Sequence, residues 1–187
     1  RHPLLRWLAV LLALGILLVA VFFRSRIARA QSPCRYADTV TRYAELYDID
    51  PLVLYAFIRT ESNFNPNAQS GAGARGLMQI TEVTFDWIKL KIAPDEALTF
   101  DDLFDPETNI RFGSYFVAYC LQRYGGDLAT AAAAYHSGVG TVDGLLADSA
   151  CSPDGQTLSH YPYPQMRRYV HKITTAYQRY QEIYSDP

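Results

Sequence analysis

Hydrophobic positions along this chain recur at three- and four-residue spacing and almost never alternate, a pattern that predicts helices and few strands. The clearest case is the C-terminal stretch 164–184. There Met166, Tyr169, Val170, Ile173, Tyr177 and Tyr180 mark one apolar face. Local signals set the ends of other helices. Asp50 caps and Pro51 starts a segment, Leu52 to Ile58, that is apolar on every side and is expected to be buried on every side. Thr81 caps a helix to about Lys91. Asp105-Pro106 opens a longer one to about Tyr124, stopped by Gly125-Gly126, and Asp127 caps an alanine-rich helix from 128 to 135. Residues 36–47 and 141–147 complete the set. The expected class is all-α, with room for a minor hairpin in a loop.

Residues 7–23 form an uncharged apolar run of 17, just long enough to span a bilayer as a helix. Arg1 and Arg6 precede it; Arg24, Arg26 and Arg29 follow. The run reads either as a retained signal anchor or as a signal peptide cleaved near Ala28-Arg29-Ala30. Its length and its arginine-rich flank favour a transmembrane anchor, although the surplus of arginines behind it runs against the usual charge rule. The expected division is therefore 1–30 as anchor or signal, then a domain over 31–187 on the outer face of the membrane, or released if the segment is cleaved. Gln31-Ser32-Pro33 reads as a short linker.

Charge narrows the partners. The first 30 residues carry five arginines and no acid, which leaves 12 basic against 19 acidic residues in the remainder. A remainder near −7 without a basic stripe argues against nucleic acid. The 14 tyrosines suit neutral sugars read by stacking and hydrogen bonds, though most aromatics at helical spacing are core. His136, His160 and His171 are dispersed, no phosphate loop or dinucleotide fingerprint is present, and neither metal nor cofactor is expected. Cys34 and Cys151 are candidates for a disulfide in an oxidising compartment, whereas Cys120 reads as a buried thiol.

One carboxylate stands out. Glu61 ends the apolar helix, just before a Gly- and Asn-rich loop. A poorly solvated glutamate at a helix C-terminus keeps its proton at neutral pH, which suits a general acid for glycosidic bonds. The bland alternative pairs it with Arg59 or Arg75 on the surface. Glycosidases commonly need a second carboxylate, and Glu82, Asp86, Asp101 and Asp102 are the candidates.

The string Glu61-Ser62-Asn63-Phe64-Asn65-Pro66-Asn67-Ala68-Gln69-Ser70, followed by Gly73-Ala74-Arg75-Gly76-Leu77-Met78-Gln79, resembles the catalytic core of the soluble-lytic-transglycosylase-type enzymes. The resemblance runs from about Asp50 to Ile173. It implies a goose-lysozyme-like fold and a peptidoglycan-cutting enzyme that acts as a monomer on glycan strands. Such enzymes use a single glutamate, here Glu61, to cut the bond between N-acetylmuramic acid and N-acetylglucosamine, with a 1,6-anhydro ring as product. By the same resemblance Ser62, Ser70, Met78 and Gln79 line the sugar groove, with Met78 read more as packing. Tyr135 in Ala134-Tyr135-His136-Ser137-Gly138 lies beside the cleaved sugar, and Tyr169 hydrogen-bonds near the acid. Two motifs depart from the family pattern: His136-Ser137 stands where Asn-Ala is usual, and Gln165-Met166 where Glu-Thr is usual. A goose-type muramidase that activates water is the alternative enzyme. A catalytically dead, membrane-anchored glycan-binding module is the alternative from another class.

Overall fold

A computed structural model describes residues 3–184. Eight helices follow in order: α1 Pro3–Gln31, α2 Ala37–Leu46, α3 Pro51–Ser62, α4 Glu82–Ile92, α5 Pro106–Arg123, α6 Leu128–Ser137, α7 Val139–Leu146 and α8 Pro164–Tyr184. A short 3-10 helix, Phe100–Phe104, precedes α5. There is no strand among the described residues. The expected minor hairpin is reduced to two antiparallel bridges, Gln69 with Arg75 and Arg75 with Ile80.

The caps form where side-chain chemistry puts them. Asp50 accepts from the Leu52 amide at 2.8 Å, Asp105 from Thr108 at 2.8 Å and Asp127 from Thr130 at 2.7 Å, each satisfying an orphan donor of a first turn. Thr81 does the same for Thr84 at a longer 3.4 Å.

Helix α3 runs through the centre. Val53 to Ile58 are all buried, as an all-round apolar helix requires. It packs on α8, α8 packs on α6, and α6 on α5, while α2 crosses α3 and α5. Ala131 to Ala134 are at most 1% exposed; their small side chains let α6 approach both α5 and α8 closely. The buried residues form one continuous core.

The described side chains of the apolar run 7–23 are exposed; those of 8–10 and 21–22, like Arg1 and the side chains of Arg6 and Arg24, lie outside the described residues. Among the described residues no helix is long and apolar enough to cross a membrane, so the expected transmembrane anchor is not supported. The segment read as a linker is tied down. Arg179 on α8 donates to Ser32 Oγ at 3.1 Å and Gln31 Oε1 at 2.7 Å, and Tyr184 donates to the Ser32 carbonyl at 2.7 Å.

The disulfide expected between Cys34 and Cys151 is absent, and all three cysteines are free. The two thiols have unrelated neighbours. Cys34 lies between Tyr184 and Tyr55, whereas Cys151 meets Asp148 in the loop after α7.

Candidate active site

Glu61 sits in the last turn of α3, one residue before the helix ends. The chain leaves through two consecutive left-handed residues, Asn63 at φ 52° and Phe64 at φ 63°. Neither is glycine, so this turn stores strain of about 1 kcal/mol or more per residue. Burial compensates for it: the Phe64 ring is 2% exposed and packs against Tyr55, 6.3 Å between centroids.

Glu61 is partly buried, and burial pushes its carboxyl up to about 7 from an ordinary 4.5. Two groups oppose that shift: the hydroxyl of Tyr169, which donates to Oε1, and the positive charge of Lys172. Neither arginine named as a surface partner pairs with it. Arg59 donates to Asn63, and Arg75 bonds Asp101 and stacks over Phe100 with 4.0 Å to the ring centroid.

The loop after α3 folds back as a cradle. Ser62 Oγ donates to the Leu77 carbonyl at 2.7 Å. Ser70 Oγ accepts from the Ala74 amide at 3.1 Å and stays exposed. Gln79, at φ 49°, donates through Nε2 to the carbonyls of Ala68 (3.0 Å) and Gly76 (2.9 Å). Met78 is fully buried: its amide donates to Asn109 Oδ1 at 2.8 Å and its carbonyl accepts from the Tyr135 hydroxyl at 2.7 Å. Asn109 also donates to the carbonyls of Arg75 and Leu103, at 2.9 and 2.8 Å. Gly76, at φ 76°, lies so close that a β-carbon there would overlap the Asn109 amide and the Leu103 carbonyl. Gly113 on α5 leaves room in the same way for the Met78 side chain.

Tyr135 comes from the end of α6, its ring wedged between Phe57 at 4.9 Å and Phe116 at 5.0 Å. Burial first, then the charge of Glu61, holds its hydroxyl well above the ordinary range. Tyr169 is 8% exposed, and burial and Glu61 raise it likewise. His136 lies flat on the Tyr169 ring, with 4.5 Å between centroids and 13° between planes. Its other side meets solvent, and the covered face lowers its pKa.

The structure thus gathers Glu61, Tyr135, His136 and Tyr169 around one point. Ser70 and Gln79 sit on the cradle. It turns Ser62 inward, against the expectation that it lines a groove, since its hydroxyl is committed to a carbonyl; Met78 has no exposed surface, in keeping with its reading as packing. The candidate second carboxylates serve elsewhere. Asp102 closes a capping box with Thr99, Asp101 holds Arg75, and Glu82 and Asp86 are exposed on α4. No carboxylate is among the groups that shift Glu61. Sequence reasoning missed Lys172, although it lies three residues beyond Tyr169 and so on the same side of α8. It also gave Asn109 no part, though Asn109 holds the cradle. Gln165, at the departure from the family pattern, is exposed in the first turn of α8, and its neighbour Met166 joins the core at 1% exposure.

The chain is similar to known proteins over most of its length. The soluble lytic murein transglycosylase of Salmonella typhimurium is 37% identical over 150 residues, 79% of this chain but 23% of that protein. The membrane-bound lytic murein transglycosylase C of Edwardsiella ictaluri is 28% identical over 80% of this chain and 47% of its own length. The matched region therefore spans between about a quarter and about half of these relatives. Among solved structures, the 70 kDa soluble lytic transglycosylase of Escherichia coli superimposes with a TM-score of 0.75 at 28% identity, over 85% of this chain and 26% of that one. Its complex with bulgecin A gives 0.76 at the same identity and coverage. The Transglycosylase SLT domain family matches residues 38–150, and the chain belongs to that family.

Proposed function

We propose that this domain is a peptidoglycan lytic transglycosylase in which Glu61 is the only acid–base group. The observation that carries the reading is Glu61 itself: a carboxyl raised to about 7 by burial, bound by one tyrosine, with no second carboxylate acting on it. Near neutral pH such a group holds a proton on the oxygen that Tyr169 leaves free. It gives that proton to the glycosidic oxygen between N-acetylmuramic acid and N-acetylglucosamine as the bond breaks. The resulting carboxylate is stabilised by the Tyr169 hydroxyl and by Lys172. It then takes a proton from the 6-hydroxyl of the same muramic acid, which closes on the anomeric carbon as a 1,6-anhydro ring. The nucleophile belongs to the substrate, so no water has to be positioned and little entropy is lost. Ser70, Gln79, Tyr135 and His136 border the space where the sugar would lie. The named activity of the relatives supports the substrate class, which places the work outside the cytoplasm.

The test is to digest purified peptidoglycan with the chain and weigh the fragments. Products one water lighter than reducing muropeptides, and resistant to borohydride, are expected. Reducing ends would overturn the mechanism and require a water-activating base.

A further inference from the structure

A ladder of half-buried aromatic rings leads from Tyr135, beside Glu61, to a surface cavity. Tyr135 touches Phe116 at 5.0 Å; Phe116 meets Trp87 at 5.9 Å and Tyr119 at 6.4 Å. Trp87 contacts Tyr119 at 4.9 Å and Tyr115 at 5.9 Å, and Tyr115 meets Tyr47 at 5.8 Å. All six residues keep part of their surface in solvent. At the far end Tyr47, Tyr115 and Tyr119, with Asp48 and Gln122, line a cavity of about 490 Å³. Asp48 precedes α3 and Glu61 lies in its last turn, so the cavity and the acid lie at opposite ends of a 12-residue helix about 18 Å long.

We propose that this cavity is a distal glycan-binding site for neutral β-linked amino sugars, separate from the point of cleavage. This rests on the reading of Glu61 as an acid that cuts such glycans. Three features select that occupant. The parts of Tyr47, Tyr115 and Tyr119 that reach solvent offer surface to stack against the apolar faces of pyranose rings. Asp48 and Gln122 supply an acceptor and an amide that can bond sugar hydroxyls and N-acetyl groups. The lining holds one carboxylate and no cation, so an anionic lipid or an acidic peptide is disfavoured there. Continuity with Tyr135 lets one strand, or two neighbouring strands, engage both places. The site then holds an insoluble substrate while its ends are worked at Glu61, an effective-concentration gain rather than a chemical one.

The test uses the full chain carrying Glu61→Gln, so that glycan is bound without being consumed. Depletion onto insoluble peptidoglycan and titration with soluble chitin oligosaccharides are measured for this parent and for added Tyr115→Ala or Gln122→Ala. Loss of one stacking ring is expected to weaken retention on peptidoglycan by about two- to tenfold. Gln122→Ala should weaken it by at least about twofold, a minimum for one lost hydrogen bond. With Glu61 restored, both variants should cleave short soluble fragments at the wild-type rate. Gln122 is exposed on α5, so that variant keeps the fold and decides the matter if Tyr115→Ala does not fold. Folded variants that bind with the parent's affinity would overturn the distal site. A wild-type chain that cleaves nothing, while retention still depends on Tyr115 and Gln122, would instead overturn the catalytic reading and leave the distal site standing.

Discussion

The Tyr169 hydroxyl donates to Oε1 of Glu61 across 108 positions of sequence, joining the end of α3 to α8. The bond acts against burial. Burial favours the neutral acid, and the tyrosine favours the carboxylate that remains after proton transfer. Removing the hydroxyl should therefore raise the Glu61 pKa further. In Tyr169→Phe the alkaline limb of the rate profile is expected to move to higher pH, while the maximal rate falls by about tenfold or more. A pH–rate series on wild type and variant checks both. An unmoved limb would show that the bond does not tune the acid.

Glu61→Gln should retain the fold and lose turnover by at least about a hundredfold, the low end for general acid catalysis. It should also change stability in a defined direction. The folded-state value of about 7 lies above the ordinary 4.5, so the contribution of this group is fully present below 4.5 and is lost as pH rises through 7. The loss is at most about 3 kcal/mol. Thermal melts at acid and alkaline pH should show wild type losing stability across that window and the glutamine variant losing less.

Gly76→Ala should be severely destabilising. It puts a β-carbon on a left-handed residue and into the Asn109 amide and the Leu103 carbonyl, both held by hydrogen bonds. A cost of about 2–4 kcal/mol is expected from strain and lost bonds together. Denaturant unfolding measures it. Gly71→Ala is the control, since open space surrounds that glycine and a near-neutral effect is expected.

His136→Asn tests the stacked imidazole. A protonated ring lying on Tyr169 brings positive charge toward Glu61 and lowers the Glu61 pKa by favouring the carboxylate. Burial holds the His136 pKa below the ordinary 6.5, where an acid of pKa about 7 still keeps its proton, so the effect falls on the alkaline limb set by Glu61. An alkaline limb that moves to slightly higher pH in the asparagine variant is the expected outcome. Superimposable profiles would leave His136 with a packing role.

The helices were legible because their signals are local. Asp-Pro starts, glycine stops and the apolar face of α8 each involve residues within a few positions of one another. Glu61 was legible for the same reason, as a carboxylate at the end of an apolar run. The direction in which neighbouring side chains point was not. Ser62 belongs to the same motif as Gln79, yet its hydroxyl turns inward onto the Leu77 carbonyl, whose loop is held by Asn109 from α5. The 3-10 helix Phe100–Phe104 went unseen because five residues are too short to set a period. The aromatic ladder was invisible as well: its rings come from the end of α2 and from α4, α5 and α6 at ordinary core spacing, and only packing lines them up.

The cradle of residues 68–80 has no regular secondary structure, yet Ser62, Gln79, Asn109 and Tyr135 fasten it at Leu77, Ala68, Gly76, Arg75 and Met78. Its conformational entropy was surrendered on folding rather than on binding. A sugar that settles against Gln79 meets a surface already frozen in shape. Affinity is therefore not diluted by ordering a loop, and any induced closure around the substrate must come from elsewhere in the molecule.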